Sequence, residues 1–161
     1  MDISALITED QILIDLNSKS KKNILEIISQ KLACDNLENK DIIFNKLYER
    51  EKLGTTAFGN GIAIPHARIP NLKNAKILFI KLSNGINFDS IDNKNVDIFF
   101  SLIVPDTNDD LHVELLAKVA EILDDEEFRR KIRKTDSKLE IRNLLVQNIK
   151  TWRVKLIVFY S

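Results

Sequence analysis

Cysteine occurs once in 161 residues, at Cys34, so no intramolecular disulfide can form and the chain suits a reducing compartment. Charge of one sign is also missing: Lys+Arg and Asp+Glu both number 24, a formal net charge of +0. A general nucleic-acid binder carries a basic excess, so that class is disfavoured, although a local basic patch is not. No apolar run approaches the ~20 residues of a membrane span. The longest candidates, Val96–Pro105 and Val154–Tyr160, are too short. The opening Met1-Asp2-Ile3-Ser4 lacks the basic-then-apolar order of a secretory signal, and a cytoplasmic protein is expected. With 4 glycines and 3 prolines there is no Pro/Gly-rich linker, and neither an internal repeat nor a low-complexity tract is visible.

What remains is a globular composition, 44% hydrophobic and 30% charged. The length argues for one domain that buries roughly two-thirds of its surface on folding. A short strand fits Ile12–Leu16. Asn17-Ser18-Lys19-Ser20 offers caps for a helix carrying Ile24, Leu25, Ile27, Ile28 and Leu32 at helical spacing. A second helix is expected from Asn39 or Asp41, with Ile42, Ile43 and Leu47 on one face and an end before Gly54. Gly61–Pro65 reads as a short buried strand and Lys76–Leu82 as another, with Asn84-Gly85 as a turn. Val96–Val104 is nearly all apolar and predicts a central strand covered on both faces. Helices are expected from about Asn108 to Leu123, with Leu111, Leu115, Leu116, Val119 and Ile122 as the core stripe, and over Asp124–Lys134. A last helix is capped by Asp136 or Ser137 and runs to about Ile149, Ser137 and Glu140 having capping-box spacing. The tail Trp152–Ser161 reads as strand-like. Interleaved helices and strands give an α/β class, a mixed β-sheet flanked by helices in a single domain.

Two histidines exist, His66 and His112. His66 follows Pro65 inside Gly54–Pro70, which holds three of the four glycines and two of the three prolines. Pro65 fixes its own φ and restricts Ile64, so the backbone entering His66 is stiff. A stiffly presented imidazole suits nucleophilic chemistry, because positioning lowers the entropic cost of reaction. The competing reading is a structural histidine hydrogen-bonded in a loop. His112 falls in the first turn of its helix, the electropositive end, where it could donate to a bound phosphoryl group or simply sit in a capping turn. Asn60 occupies the lysine position of a P-loop, so there is no Walker motif, and the third glycine of a dinucleotide fingerprint is missing. Two histidines and one cysteine far apart are thin material for a zinc site, so no metal and no cofactor is expected. Cys34 reads as packing rather than nucleophile. The run Arg129-Arg130-Lys131 with Arg133-Lys134 reads as a solvated face, with an acidic partner as the alternative.

The run Glu51-Lys52-Leu53-Gly54-Thr55-Thr56-Ala57-Phe58-Gly59-Asn60-Gly61-Ile62-Ala63-Ile64-Pro65-His66-Ala67 resembles the active-site signature of the fructose/mannitol-type enzyme IIA domains of the bacterial phosphoenolpyruvate-dependent phosphotransferase system (PTS). An acidic or amide residue, six spacers, then Phe-Gly-x-x-Ile-Ala-Ile-Pro-His-Ala fits at every position. Leu6–Leu13, Ser18–Lys22 and Ile86–Asn93 are similar to the nitrogen-regulatory (Ntr) branch. The likeness spans about residues 6–146, so 1–149 is expected to be the IIA domain and 150–161 a tail of unassigned role. The resemblance implies that His66 accepts a phosphoryl group from the carrier HPr or an HPr-like nitrogen-branch donor. It implies that His112 helps to hold the group and that Arg50 is an active-site arginine. It implies either a regulatory output on nitrogen or potassium targets, or onward transfer to an enzyme IIB in sugar uptake. The absence of a fused IIB or membrane segment is read as favouring the regulatory version. A binding module that keeps the fold and signals without phosphorylation is the remaining alternative.

Overall fold

The computed structural model describes residues 3–34, 36–107 and 109–160. Six strands form one mixed sheet: β1 (Ile12–Leu16), β2 (Ala57–Gly59), β3 (Ile62–Ala63), β4 (His66–Ile69), β5 (Lys76–Ile86) and β6 (Val96–Pro105). The helices are α1 (Lys21–Leu32), α2 (Leu37–Lys52), α3 (Asp109–Asp124), α4 (Glu126–Lys134) and α5 (Lys138–Tyr160). The spatial order is β1-β5-β6-β3-β2, with β4 also on β6. Strand β6 is therefore the hub, antiparallel to β5 on one side and parallel to β3 and then β4 on the other. This is the helix-flanked mixed sheet expected from the sequence.

The apolar run of β6 is explained by what covers it. Ile98, Phe100, Leu102 and Val104 join a core with Val119 of α3, Ile132 of α4 and Ile141 of α5. Phe99 and Ile103 join a separate core with Ile24 and Ile28 of α1 and Leu47 of α2. Successive strand residues face opposite ways, so a strand serving two cores must be apolar at almost every position. Side-chain caps open three helices: Ser20, within the capping stretch expected from the sequence, accepts from the Asn23 N–H, and Asn36 accepts from Asn39 and Asp125 from Phe128, two caps not expected from the sequence. Ser137 Oγ accepts from the Glu140 N–H at 3.2 Å, but the Glu140 carboxylate accepts from the Thr135 hydroxyl at 2.5 Å, so the box is made only on one side.

Five expectations need correction. The segment Gly61–Pro65 is not one strand: β3 ends at Ala63, and His66 opens β4 instead of following a strand end. Proline has no N–H to give the ladder, which breaks the strand there. Asn84-Gly85 is not a turn but lies inside β5, where the register with β6 shifts between Lys81 and Ile86. The chain reverses later, around Asp89 and Asn93, both at positive φ. Helix α2 begins earlier than expected, at Leu37, and Ile42 is exposed while Ile43 and Leu47 are buried. The backbone of the tail continues α5 as helix to Tyr160 instead of forming a strand. Cys34 is exposed, not packed. The expected helix start Asn108 and the side chain of Leu111 lie outside the described residues.

Phe99 is fully buried and meets Phe88 edge-to-face with centroids 5.2 Å apart. Phe99→Ala should lower stability by about 3–5 kcal/mol in urea unfolding, the usual cost of a large aromatic cavity. A loss under ~1 kcal/mol would contradict a core centred on β6.

Candidate functional site

Ile43, Leu47 and Glu51 recur at four-residue spacing along α2, which places Glu51 on the face that packs inward. Glu51 is 5% exposed, and a buried carboxylate must be paired and hydrogen-bonded. Its two oxygens accept from the Thr56 N–H at 3.0 Å and the Thr56 hydroxyl at 2.6 Å. The Lys21 ammonium lies 3.0 Å away and 4.8 Å over the Phe88 ring. Thr56 in turn accepts from the Ile64 N–H through its carbonyl at 3.1 Å. The Ile64 carbonyl lies 2.7 Å from His66 Nδ1. An unbroken series of contacts thus runs from Lys21 through Glu51, Thr56 and Ile64 to the imidazole.

A carbonyl oxygen can only accept, so this contact assigns the proton to Nδ1 and leaves the lone pair on Nε2. The Ile64 carbonyl is available because the strand is interrupted at Ile64-Pro65. The next carbonyl, that of Pro65, is fixed from below by the Leu102 N–H at 3.0 Å and the Ser101 hydroxyl at 2.9 Å. Ser101 is itself completely buried.

Alternation along β4 sends Ala67 and Ile69 into the core beneath α1 and α2, and His66 to the opposite face, toward α3. There its ring meets that of His112, with centroids 5.3 Å apart and planes inclined by 53°. His112 is the fourth residue of α3, in its first turn. Arg50 comes from the last turn of α2, and its Nη1 donates to the Gly54 carbonyl at 2.8 Å. Burial is the largest influence on His66 and pushes its pKa below the ordinary 6.5. The Ile64 carbonyl opposes this, the Arg50 charge adds to it, and Glu51 acts the other way. The net shift is downward, so the ring is neutral at neutral pH and Nε2 carries the lone pair.

The structure therefore brings His66 and His112 into ring contact and sets Arg50 within electrostatic reach. Among the described residues, no group of three or more His, Cys, Asp or Glu is placed to hold a metal, and no helix is long and apolar enough to cross a membrane. Sequence reasoning assigned no role to Glu51, Thr56 or Ser101. The signals available for Glu51 were its place as the acid that opens the signature run and its continuation of the Ile43–Leu47 buried stripe. Nothing in the sequence distinguishes Ser101, because its partner, the Pro65 carbonyl, lies far away in the chain, in the break between β3 and β4.

Residues 5–148 match the family model described as phosphoenolpyruvate-dependent sugar phosphotransferase system, EIIA 2. A nitrogen regulatory protein from Bradyrhizobium diazoefficiens is 38% identical over 133 residues, 83% of this chain and 87% of that protein. The PTS fructose-specific EIIA component of Haloferax volcanii is 28% identical over 91% of this chain and 96% of that protein. The crystal structure of nitrogen regulatory protein IIA-Ntr from Neisseria meningitidis superposes with a TM-score of 0.83 at 33% identity, covering 89% of this chain and 98% of that one.

The lowered pKa has a definite sign. The unfolded imidazole takes a proton near 6.5 and the folded one only at lower pH, so stability rises with pH across the interval between the two values. The contribution is flat above that interval. NMR titration of His66 should give a pKa below 6.5, and Arg50→Gln should raise it by removing a like charge. A wild-type value at or above 6.5 would contradict the site as described.

Proposed function

The chain belongs to the phosphoenolpyruvate-dependent sugar phosphotransferase system EIIA 2 family, and from that premise we propose that it is a phosphocarrier whose acceptor atom is His66 Nε2. The 2.7 Å contact between His66 Nδ1 and the Ile64 carbonyl carries the reading, because it fixes which nitrogen is nucleophilic. The family is one of phosphoryl transfer, and the site's chemistry suits that. The donor is an HPr or HPr-like protein bearing a phosphohistidine. The Nε2 lone pair attacks phosphorus, the new N–P bond forms as the donor's N–P bond breaks, and the donor nitrogen leaves with the bonding pair. The proton stays on Nδ1, hydrogen-bonded to the Ile64 carbonyl, so no proton needs to move.

Charge on the transferring oxygens is the remaining problem, and phosphoryl transfer is governed largely by alignment and charge stabilisation. The Arg50 guanidinium supplies a fixed cation with several N–H donors. His112 donates a hydrogen bond to a phosphoryl oxygen from the electropositive start of α3. Neither nucleotide nor metal is required. Exposed Leu53, at 85%, lies beside the Arg50 turn, and exposed Val113, at 63%, follows His112, which suits docking of a protein donor against the site.

The output we favour is regulatory, with phosphorylation of His66 controlling binding to nitrogen or potassium targets, a reading supported by the nitrogen-regulatory names of the 38%-identical Bradyrhizobium protein and the 33%-identical Neisseria structure. Transfer to an enzyme IIB in sugar uptake is the second reading, supported by likeness to a fructose-specific component. Residues 1–149 act as the IIA unit, 150–161 have no assigned role, and the protein works in the cytoplasm.

Incubation with phosphoenolpyruvate, enzyme I and HPr should give an acid-labile adduct on the intact chain. His66→Ala should abolish it. Arg50→Gln should slow it by about 10²–10³-fold, the usual cost of one removed charge-stabilising donor. His112→Ala should still label, but more slowly or with impaired onward transfer. Normal labelling of His66→Ala with loss in His112→Ala would reverse the two roles. No adduct from any cognate donor would favour a binding module that signals without phosphorylation.

A further inference from the structure

The basic run of α4 is not the uniformly solvated face that its sequence suggests. It forms one wall of an open groove of about 690 Å³ on the side of the sheet edge formed by the Asn60-Gly61 turn. That volume is in the range of small-molecule sites. Arg129 and Lys134 line it from α4, Lys94 lines it from the β5–β6 loop, and Gly61 and Gly85 also belong to its lining. The cations converge on one volume from two sides, although the chain as a whole carries no net charge.

The charge balance is unequal. Five cationic side chains line the groove against two carboxylates, Asp97 and Glu126. Asp97 takes both forks of Arg133, at 3.1 and 2.9 Å, and Glu127, just outside the lining, pairs with Arg130. Arg129 is 9% exposed and gives Nη1 to the Leu123 and Asp124 carbonyls at 3.0 and 2.7 Å, which fixes the guanidinium without a carboxylate in those bonds. With Glu126 set against one of Lys94, Arg129 and Lys134, about two positive charges remain over a compact space. An extended acidic peptide needs a linear track of cations, whereas a diphosphate places two charges within one bond-linked group.

We infer that this groove binds a phosphorylated metabolite bearing a diphosphate, held by Lys94, Arg129 and Lys134. Arg133 is already committed: it also donates to the Asn60 carbonyl at 2.6 Å, and a Cβ built on Gly61 would lie 2.5 Å from its Nη2. Arg133 is therefore tied to Asp97 and the Asn60-Gly61 turn and is not counted among the binding groups. The site is separate from the His66 chemistry, and its test does not depend on phosphorylation.

The test is a titration of the isotope-labelled full chain with inorganic pyrophosphate at about 0.15 M salt, where long-range attraction between exposed charges is largely screened. Saturable shifts are expected at the amides of Gly61, Gly85, Lys94 and Asn95. Lys94→Glu combined with Lys134→Glu should weaken binding at least about tenfold; both side chains are exposed, so the fold is retained. Absence of shifts at millimolar pyrophosphate overturns the inference. So does an affinity unchanged in the double variant. Stronger binding of an octaglutamate peptide than of pyrophosphate also overturns it, and would make the groove a surface for an acidic protein. A His66→Ala chain should bind pyrophosphate normally, so failure here is distinguishable from failure of the carrier reading.

Discussion

A single hydrogen bond decides what the imidazole of His66 can do. With Nδ1 committed to the Ile64 carbonyl, the ring cannot turn freely and cannot present a mixture of tautomers. That bond is only as rigid as the carbonyl it uses. The carbonyl is held because its own residue donates to Thr56, Thr56 is gripped at two atoms by Glu51, and Glu51 is fixed by burial and by Lys21. The chain of contacts begins at the N-terminus of α1 and ends at the His66 ring, so two helices and a loop converge on one side chain. Buried polar networks of this kind are fully satisfied or costly, and here each described link is made.

Proline is the second constraint. A continuous strand from Ile62 to Ile69 would use the Ile64 carbonyl in the ladder or leave it to water. The break at Pro65 releases it locally while β3 and β4 both remain registered on β6. The same register puts Ser101 and Leu102 under the Pro65 carbonyl, so the interruption is supported and not loose. Pleat alternation then turns His66 toward α3 and His112. Phosphoryl transfer fits such a site because its demands are alignment and charge stabilisation more than bond-specific assistance from protein groups.

Much of this was legible in the sequence, for physical reasons that differ by element. The apolar run of β6 predicted its own double burial, and Ser20 and Ser137 announced two helix starts through short-range hydrogen bonding. The stiff Ile64-Pro65 step flagged His66 before any fold was known. Local signals failed where tertiary partners decide. Asn84-Gly85 is a strong turn pair, yet pairing with β6 keeps it in a strand and shifts the reversal to Asp89 and Asn93. The β-branched tail favours strand by propensity, yet its backbone extends α5. Glu51 belongs to the buried stripe of α2 by spacing, but its purpose depends on Thr56 and Lys21, which only the folded chain brings to it. The basic run of α4 gives no hint in sequence that Lys94 faces it across a groove.

The central claim is that the Ile64 carbonyl holds the proton on Nδ1 and leaves Nε2 as the atom that bonds phosphorus. Nitrogen-15 and phosphorus-31 NMR of the phosphorylated chain reads this directly, through the ring nitrogen shifts and their coupling to phosphorus. The account predicts phosphorus coupled to Nε2, with Nδ1 still protonated. Phosphorus on Nδ1 would contradict it, because that nitrogen would have to abandon the bond on which the arrangement of the site depends.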